Sequence, residues 1–258
     1  IDNADGYVYV LDTGNGRIKK LLQNQCNNSP FKFIDHIEGN GLENRAATGI
    51  AHSKQSQSLL VTNWRNRDVT QLTCDGKFVQ RFSHADLLEP TCIAVNGTTG
   101  HFLVVDNRSN SVFVFRQDGE LSFKIGGGKA AEKNGNGSLT KVSDTTATRL
   151  GVIGGICFHP ITGDIVIADT RIVLFDATGR FVKELVPASK KSGQYCGIAV
   201  DNKGNLLATR VDKSRSVIQV IDFDTGQLKF VIDSNDAKHC SKAGSHFQYF
   251  ARLRVKNI

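Results

Sequence analysis

Several features that mark particular protein classes are missing from this 258-residue sequence. It has no methionine, only four prolines, and no C-x-x-C pair among its six cysteines. The low proline content excludes a collagen-like or proline-rich chain, and the cysteine spacing lacks the usual zinc and redox motifs. No apolar run reaches the roughly 18 residues that a membrane-spanning helix needs, so we expect a soluble chain that does not span a membrane. Because there is no starting methionine, we expect a fragment of a longer protein.

Basic residues outnumber acidic ones. Lysine and arginine total 32 against 25 aspartates and glutamates, which gives a formal net charge of +7. This balance favours a polyanionic partner, either nucleic acid or an anionic membrane. Cys92, Cys157 and Cys196 lie inside apolar runs, where a thiol packs as a small hydrophobic group. We therefore expect reduced cysteines and an intracellular chain.

One pattern is repeated along the chain. Each copy has a β run that ends in Asp or a substitute, a short polar loop, a second β run, a glycine turn and a third β run. The five copies span 6–22, 57–82, 100–125, 163–185 and 204–232. A further short β run precedes every copy except the first, at 47–52, 90–95, 154–159 and 196–200. Four short strands joined by glycine-containing turns are typical of one blade of a β-propeller.

The sequence predicts one all-β domain, residues 1–258. The tail, 246–258, has the pattern of one more innermost strand, and the N-terminus begins at the second strand of a blade. Pairing the two would close the ring and remove exposed sheet edges. Residues 126–151 contain too few apolar side chains for a strand set, so we interpret them as an inserted surface loop.

The copies GYVYVLDTGNGRI (6–18) and GDIVIADTRIVLFDATGRF (163–181) resemble the NHL repeat. Together with the basic charge, they make the chain similar to the NHL propellers of the TRIM-NHL family, the relatives of Brain tumor. The resemblance implies a β-propeller of four-stranded antiparallel blades. Family members usually have six blades, whereas this sequence shows five repeats plus one strand, so the blade number stays open between five and six.

The loops between the second and third strands of all blades emerge on one face of a propeller, beside the connections that enter each innermost strand. The five loops are 13–17, 63–68, 106–111, 169–171 and 210–216, and these 27 residues hold 7 of the 14 arginines. The loop cations are Arg17, Arg65, Arg67, Arg108, Arg171, Arg210, Lys213 and Arg215. Arginine suits such a face because its planar fork holds phosphates and base edges and its plane stacks on bases.

These cations fall into two groups. Arg17, Arg171 and Arg215 occupy a slot just before the third strand, where a basic residue either braces the turn or contacts a ligand. Turn formation does not require the other five, so we predict that they contact the ligand. Loop aspartates partly neutralise the face and are expected to fix some arginines by ion pairs.

Exposed aromatic rings are expected on the same face. Trp64, the only tryptophan, lies in a loop, and Tyr195, Tyr249 and Phe250 lie where the chain enters innermost strands. Tyr249 and Phe250 could equally cap the core. Cations beside exposed rings bind single-stranded nucleic acid, because phosphates meet charge while unpaired bases stack.

The leading hypothesis is an RNA-binding propeller from a cytoplasmic post-transcriptional repressor. The resemblance implies short single-stranded RNA, often U-rich, as the partner, along with protein cofactors of mRNA silencing and a propeller that is itself monomeric. No catalytic, metal or cofactor motif stands out, so we expect no enzymatic activity here; a RING-type ubiquitin ligase activity would belong to other modules of the parent protein. The alternatives are a protein-interaction platform of such a ligase and a secreted propeller hydrolase or lyase with a central metal.

Overall fold

Antiparallel β-sheet makes up nearly all of the regular structure. The computed structural model describes residues 6–23, 31–127, 149–188, 193–201, 203–212 and 216–233. The helices in these ranges are two three-residue 3-10 turns, Thr13–Asn15 and Leu42–Asn44. The predicted all-β class is therefore confirmed.

The chain divides into two compact units, Ile1–Lys124 and Ile125–Ile258. Three sheets begin in the first unit. The first sheet has three strands, β1 (Tyr7–Asp12), β2 (Arg17–Gln23) and β3 (Phe31–Ile37). The second has four, β4 (Ala47–Ser53), β5 (Ser58–Asn63), β6 (Asp68–Thr73) and β7 (Phe78–Ser83). The third also has four, β8 (Pro90–Val95), β9 (Phe102–Asp106), β10 (Ser111–Phe115) and β11 (Leu121–Gly126).

Two more four-stranded sheets lie in the second unit. The fourth sheet contains β12 (Gly155–Phe158), β13 (Ile165–Ala168), β14 (Ile172–Phe175) and β15 (Phe181–Val186). The fifth contains β16 (Gln194–Val200), β17 (Asn205–Val211), β18 (Ser216–Asp222) and β19 (Leu228–Ile232). In all five sheets, neighbouring strands follow one another in sequence, which is the meander of a propeller blade. The described residues thus form five blades of a β-propeller.

Burial changes from the middle to the outside of each blade. All residues of β9 and β10 are buried, whereas most of β7 and β19 is exposed. Burial of every residue in these middle strands explains why FLVVD and SVFVF read as continuous runs of mostly apolar residues. The outer strands β7 and β19 are buried only in part.

Close approach of adjacent innermost strands depends on glycine. A Cβ on Gly49 of β4 would lie 2.8 Å from Thr62 Oγ1 and 2.9 Å from the carbonyl oxygen of Thr91, at the start of β8. Thr48 Oγ1 also donates to the carbonyl of Pro90 at 3.2 Å. The beginnings of β4 and β8 therefore lie side by side, and the loops entering these strands lie at the same end of adjacent sheets.

The predicted strands agree closely with those observed, except for β3 (Phe31–Ile37), which lies beyond the first predicted copy, 6–22. The four runs expected to precede the repeats became β4, β8, β12 and β16. The expected innermost strand at 246–258, and with it the closure of the ring, lies outside the described residues. So does the centre of the expected inserted loop, 128–148. The single-domain boundary and the final blade number stay predictions.

Candidate nucleic-acid interface

Among the described loops of the predicted face, the loop between β5 and β6 has the most exposed side chains. Asn63 Oδ1 accepts hydrogen bonds from the backbone N–H groups of Arg65 and Asn66, at 3.1 and 3.0 Å. Arg67 turns the chain back with a φ of +58°, in the left-handed region. Such a tight turn leaves no room for its side chains on the inside, and residues 64–67 are all exposed.

Trp64 and Arg65 form a cation–π pair at the tip of this loop. The Arg65 Cζ lies 5.3 Å from the centroid of the Trp64 ring, within the range of a cation–π interaction. The indole is still 41% exposed. The guanidinium of Arg65 contacts part of the ring. The exposed part of the ring area is open to a ligand.

The loop that enters β4 lies directly beside this tip. The backbone N–H of Trp64 donates to the carbonyl of Ala46 at 3.1 Å, and Asn44 Nδ2 lies 3.5 Å from Asn66 Oδ1. Between these contacts is Arg45, exposed and with a φ of +56°. Arg45 was not among the predicted site residues because the connections between blades fall outside the repeat, although these connections were expected on the same face. A basic residue two positions before an innermost strand was the signal available.

Arg108 occupies the corresponding loop of the next blade. Asp106, at the end of β9, accepts hydrogen bonds from the Ser109 N–H and hydroxyl at 2.8 and 2.9 Å. Arg108 is exposed. Because β4 and β8 start side by side, this loop lies at the same end of the first unit as Trp64. The structure therefore brings Arg45, Arg65, Arg67 and Arg108 to one end of two adjacent sheets.

These four arginines form no ion pair with any residue that the structure describes. Of the neighbouring carboxylates, Glu43 is hydrogen-bonded within its own loop and Asp68 and Asp106 are buried, whereas Glu89 is exposed beside the Arg108 loop. Glu43 Oε2 accepts from the Gly41 N–H at 3.0 Å, and Asp106 is fully buried under backbone donors. Asp68 is also buried, and burial raises the pKa of its carboxyl group. We name the exposed set Arg45, Trp64, Arg65, Arg67 and Arg108 the arginine–tryptophan surface.

Arg17 braces its own turn, which is one of the two roles predicted for it. Its Nε lies 3.3 Å from Asp12 Oδ2, and Lys19 Nζ lies 3.0 Å from the same oxygen. Hydrogen bonding from Asn15, followed by contributions from Lys19 and Arg17, lowers the pKa of Asp12 to about 2. The guanidinium of Arg17 thus neutralises a carboxylate within its own blade.

Arg171 also forms ion pairs within its own blade. Its guanidinium pairs with Glu184 of β15, lies 3.7 Å from Asp169 and donates to the carbonyl of Arg149 at 2.6 Å. Only 12% of its side chain is exposed. In the second blade, the position that corresponds to Arg171 holds an acid, Asp68. It lies 3.7 Å from Arg81 of β7, so the charges of the pair are reversed. At this position both blades therefore form an ion pair with the outer strand, from the loop residue Arg171 in one and from Asp68, the first residue of β6, in the other.

Tyr195 is a core residue, in contrast to the expected stacking ring. It is 2% exposed, packs in the core of the second unit, and its hydroxyl donates to Gln219 Oε1 at 3.0 Å. Burial raises the pKa of this hydroxyl, although the nearby Arg210 guanidinium lowers it in part. A ring in this position cannot stack on a base, because the residue faces the interior of the blade.

Arg210 is also placed differently from the expectation. It was expected in a loop, but it lies within β17, opposite Tyr195 of β16 and Val217 of β18, and is half-buried. Its register matches that of Asn63 and Asp106, so the predicted alignment of the blades is confirmed even though the loop starts later. Lys213, Arg215, Tyr249 and Phe250 lie outside the described residues.

Signs of other functions are few in the described part of the chain. Those residues contain no group of three or more His, Cys, Asp or Glu side chains arranged to hold a metal ion. They also include no helix with the length and hydropathy to cross a bilayer. Cys74 is a thiol rather than half of a disulfide.

Comparison with known proteins identifies the repeat. Residues 87–115, which cover β8, β9, the Arg108 loop and β10, match the NHL repeat. A solved structure of hydrazine synthase from Kuenenia stuttgartiensis superposes with a TM-score of 0.56 at 14% sequence identity, covering 73% of this chain and 49% of that one. This chain thus matches about half the length of that protein, and at such low identity the likeness shows the fold alone. No curated protein matches the chain. The five blades and the match of one NHL repeat together support an NHL-type β-propeller.

Proposed function

We propose that this NHL-type β-propeller binds single-stranded RNA through the arginine–tryptophan surface. The observation that carries the proposal is the exposed Trp64–Arg65 pair, at the same end of the blades as three further arginines without a carboxylate partner among the described residues. NHL-type propellers generally act as interaction platforms, and RNA is the ligand that this combination of groups fits best.

The chemistry favours a single strand over a duplex. Unpaired bases expose their faces, so one base can stack on the open part of the Trp64 ring, a contact worth about 1–3 kcal/mol. Guanidinium groups hold the flanking phosphates through two parallel hydrogen bonds. In a duplex the bases already stack on each other, and the tryptophan would have no partner. The resemblance to TRIM-NHL propellers suggests short, U-rich sequences.

Fluorescence anisotropy with labelled U-rich and scrambled RNAs of equal length tests the proposal. We expect the double variant Arg65→Glu, Arg108→Glu to lose binding and to keep the melting temperature of the wild type, because both side chains are exposed. The matched control is Lys54→Glu, Lys77→Glu, which makes the same change in net charge at exposed turns at the opposite ends of the second-blade strands. Equal loss in both variants, or no binding by the wild type at low salt, would refute the proposal.

A protein-interaction platform is the second candidate function. It is favoured by the outer strands, which carry most of the large exposed hydrophobic side chains, among them Phe31, Phe33, Phe78, Leu228 and Phe230. Apolar side chains at the edge of a sheet are typical contacts for another protein. A partner captured from lysate that survives nuclease treatment and the loop arginine substitutions would favour this function over RNA.

The wider setting follows from the RNA proposal. A protein that holds messenger RNA without modifying it would act as a post-transcriptional repressor, in the manner of the TRIM-NHL relatives that the repeats resemble. We accordingly propose a cytoplasmic location, a non-enzymatic role for this propeller and protein cofactors of silencing as additional partners. Fractionation of cells and identification of co-purifying RNA would test this setting.

A further inference from the structure

The residue that ends the second strand differs chemically between blades. Asp106 ends β9 and Asp169 follows β13, whereas Asn63 ends β5. The carboxylate of Asp106 accepts from the N–H groups of Leu88 and Glu89, in the loop that enters β8, at 2.5 and 2.6 Å. Asp169 similarly accepts from the Gly151 N–H at 2.9 Å. A carboxylate only accepts hydrogen bonds, so the entering loops of these blades present donors.

The entering loop of the second blade presents acceptors instead. Asn63 Nδ2 donates to the Gly41 carbonyl at 3.1 Å and to Asn44 Oδ1 at 3.3 Å. Its Oδ1 meanwhile accepts from the N–H groups of Arg65 and Asn66. Both hydrogens and both lone pairs of the amide are therefore used, and Asn63 is only 3% exposed. An aspartate here would keep the bonds to its own turn but would place a carboxylate oxygen against two acceptors.

This amide fixes two loops to each other. One loop, 38–46, carries Arg45, and the other, 64–67, carries Trp64 and Arg65. Gly41 has a φ of +93°, and a Cβ added there would lie 3.2 Å from Asn66 Nδ2, so the two loops are closely packed at this point. The relative position of the cations in the two loops is thus set by a buried group that is itself inaccessible to a ligand.

We infer that Asn63 is a positioning residue that joins the two loops into one RNA site, so that Arg45 and Arg65 act on the same ligand. The inference rests on the proposed function and adds Arg45 to the site. It also explains why the second blade carries Asn where its neighbours carry Asp.

The first test needs no RNA. Trp64 is the only tryptophan, so acrylamide quenching of its fluorescence reports on this loop alone. We expect Asn63→Asp to increase the quenching, because the entering loop no longer holds the tip. The matched control, Asp106→Asn, exchanges the same atoms in the neighbouring blade and should leave Trp64 quenching unchanged. Unchanged quenching in a folded Asn63→Asp protein would overturn the inference.

The second test is a double-mutant cycle with U-rich RNA. Arg45→Ala should weaken binding by about tenfold in the wild type, the loss typical of one hydrogen-bonded charge. In the Asn63→Asp background it should weaken binding by no more than about twofold, the scatter expected of groups that no longer interact. A full loss in both backgrounds would show that the two loops bind independently and would overturn the inference. A purely structural role would lower stability without changing the Arg45 effect.

Asn44→Ala provides a second route if Asn63→Asp does not fold. It removes one acceptor of the Asn63 amide from a half-exposed position, and we expect the same increase in Trp64 quenching, reduced in size. If quenching changes as expected but the wild type binds no RNA, the proposed function fails while the joining of the loops stands. If RNA binds but the cycle is additive, the function stands and the inference fails.

Discussion

Arg65 and Arg171 lie in corresponding loops of two blades, yet only Arg171 has a carboxylate within reach. Glu184 on the outer strand β15 supplies it, whereas the corresponding position on β7 is Arg81, which faces Asp68. Asp68 occupies the position of Arg171 in that blade, so Arg81 is already paired and the outer strand supplies no acid to Arg65. The ligand-binding capacity of an arginine thus depends on residues distant in sequence.

Trp64→Ala is expected to weaken RNA binding without unfolding the protein. The lost stacking contact corresponds to about 1–3 kcal/mol, or a roughly 5- to 150-fold rise in Kd. Anisotropy of labelled RNA measures this directly, and Trp64→Phe, which keeps a smaller ring, should recover part of the affinity. Unchanged affinity in Trp64→Ala would remove this residue from the site.

Tyr195→Phe should have the opposite effect, with lower stability and unchanged RNA binding. It removes a buried hydroxyl that donates to Gln219, and we expect a loss of about 1 kcal/mol of stability, the usual net worth of such a bond. RNA affinity should stay at the wild-type level because the ring is in the core. Denaturant unfolding together with anisotropy separates the two effects, and a weakened RNA complex with unchanged stability would contradict this assignment.

At the scale of the strand, β6 begins with a carboxylate that burial disfavours. The pKa of Asp68 is raised above its ordinary value of 3.8, so the folded state holds its proton to higher pH than the unfolded state. The contribution of Asp68 to stability is therefore most favourable below pH 3.8 and declines as pH rises through the folded-state pKa. We expect Asp68→Asn to be more stable than the wild type near neutral pH, with the difference vanishing in acid, as thermal melts across pH would show.

Asp12 at the end of β1 provides the reverse control. Its pKa of about 2 lies below the ordinary value, so it stabilises the fold above pH 3.8 and the contribution is lost as pH falls toward 2. Asp12→Asn should therefore be less stable than the wild type at neutral pH, and the gap should narrow in acid. The two variants shifting in the same direction would show that one carboxylate is misassigned.

The elements themselves could be predicted because their sequence signals are local. Short apolar runs and glycine turns give most strands within a few residues, as for β4, expected at 47–52 and observed at Ala47–Ser53. Arg210 shows the limit. It ends the first β run of its repeat in place of Asp and was expected in a loop, but pairing with β16 extends β17 through Val211. This long-range pairing has no local signal.

At the scale of the whole molecule, a net charge of +7 would draw RNA to the protein irrespective of sequence. Binding through the arginine–tryptophan surface has a more specific salt dependence. Each phosphate neutralised on a single strand contributes about −0.7 to the slope of log K against log salt, so four arginines give a slope of about −3. We expect the Arg65→Glu, Arg108→Glu variant to show a much shallower slope, while the Lys54→Glu, Lys77→Glu control keeps the wild-type value. Equal slopes in all three proteins would indicate attraction by net charge alone.

The sequence by itself determined the blades, because alternation and turn chemistry act over four to ten neighbouring residues. It also determined which loops share one end of the sheets, since that follows from strand order. Only the tertiary structure decided which cations are available. Arg17 and Arg171 found carboxylates, Tyr195 turned into the core, and Arg45 came beside Trp64 through the buried amide of Asn63. Ion pairing and burial depend on distances between residues far apart in the chain, and folding alone sets those distances.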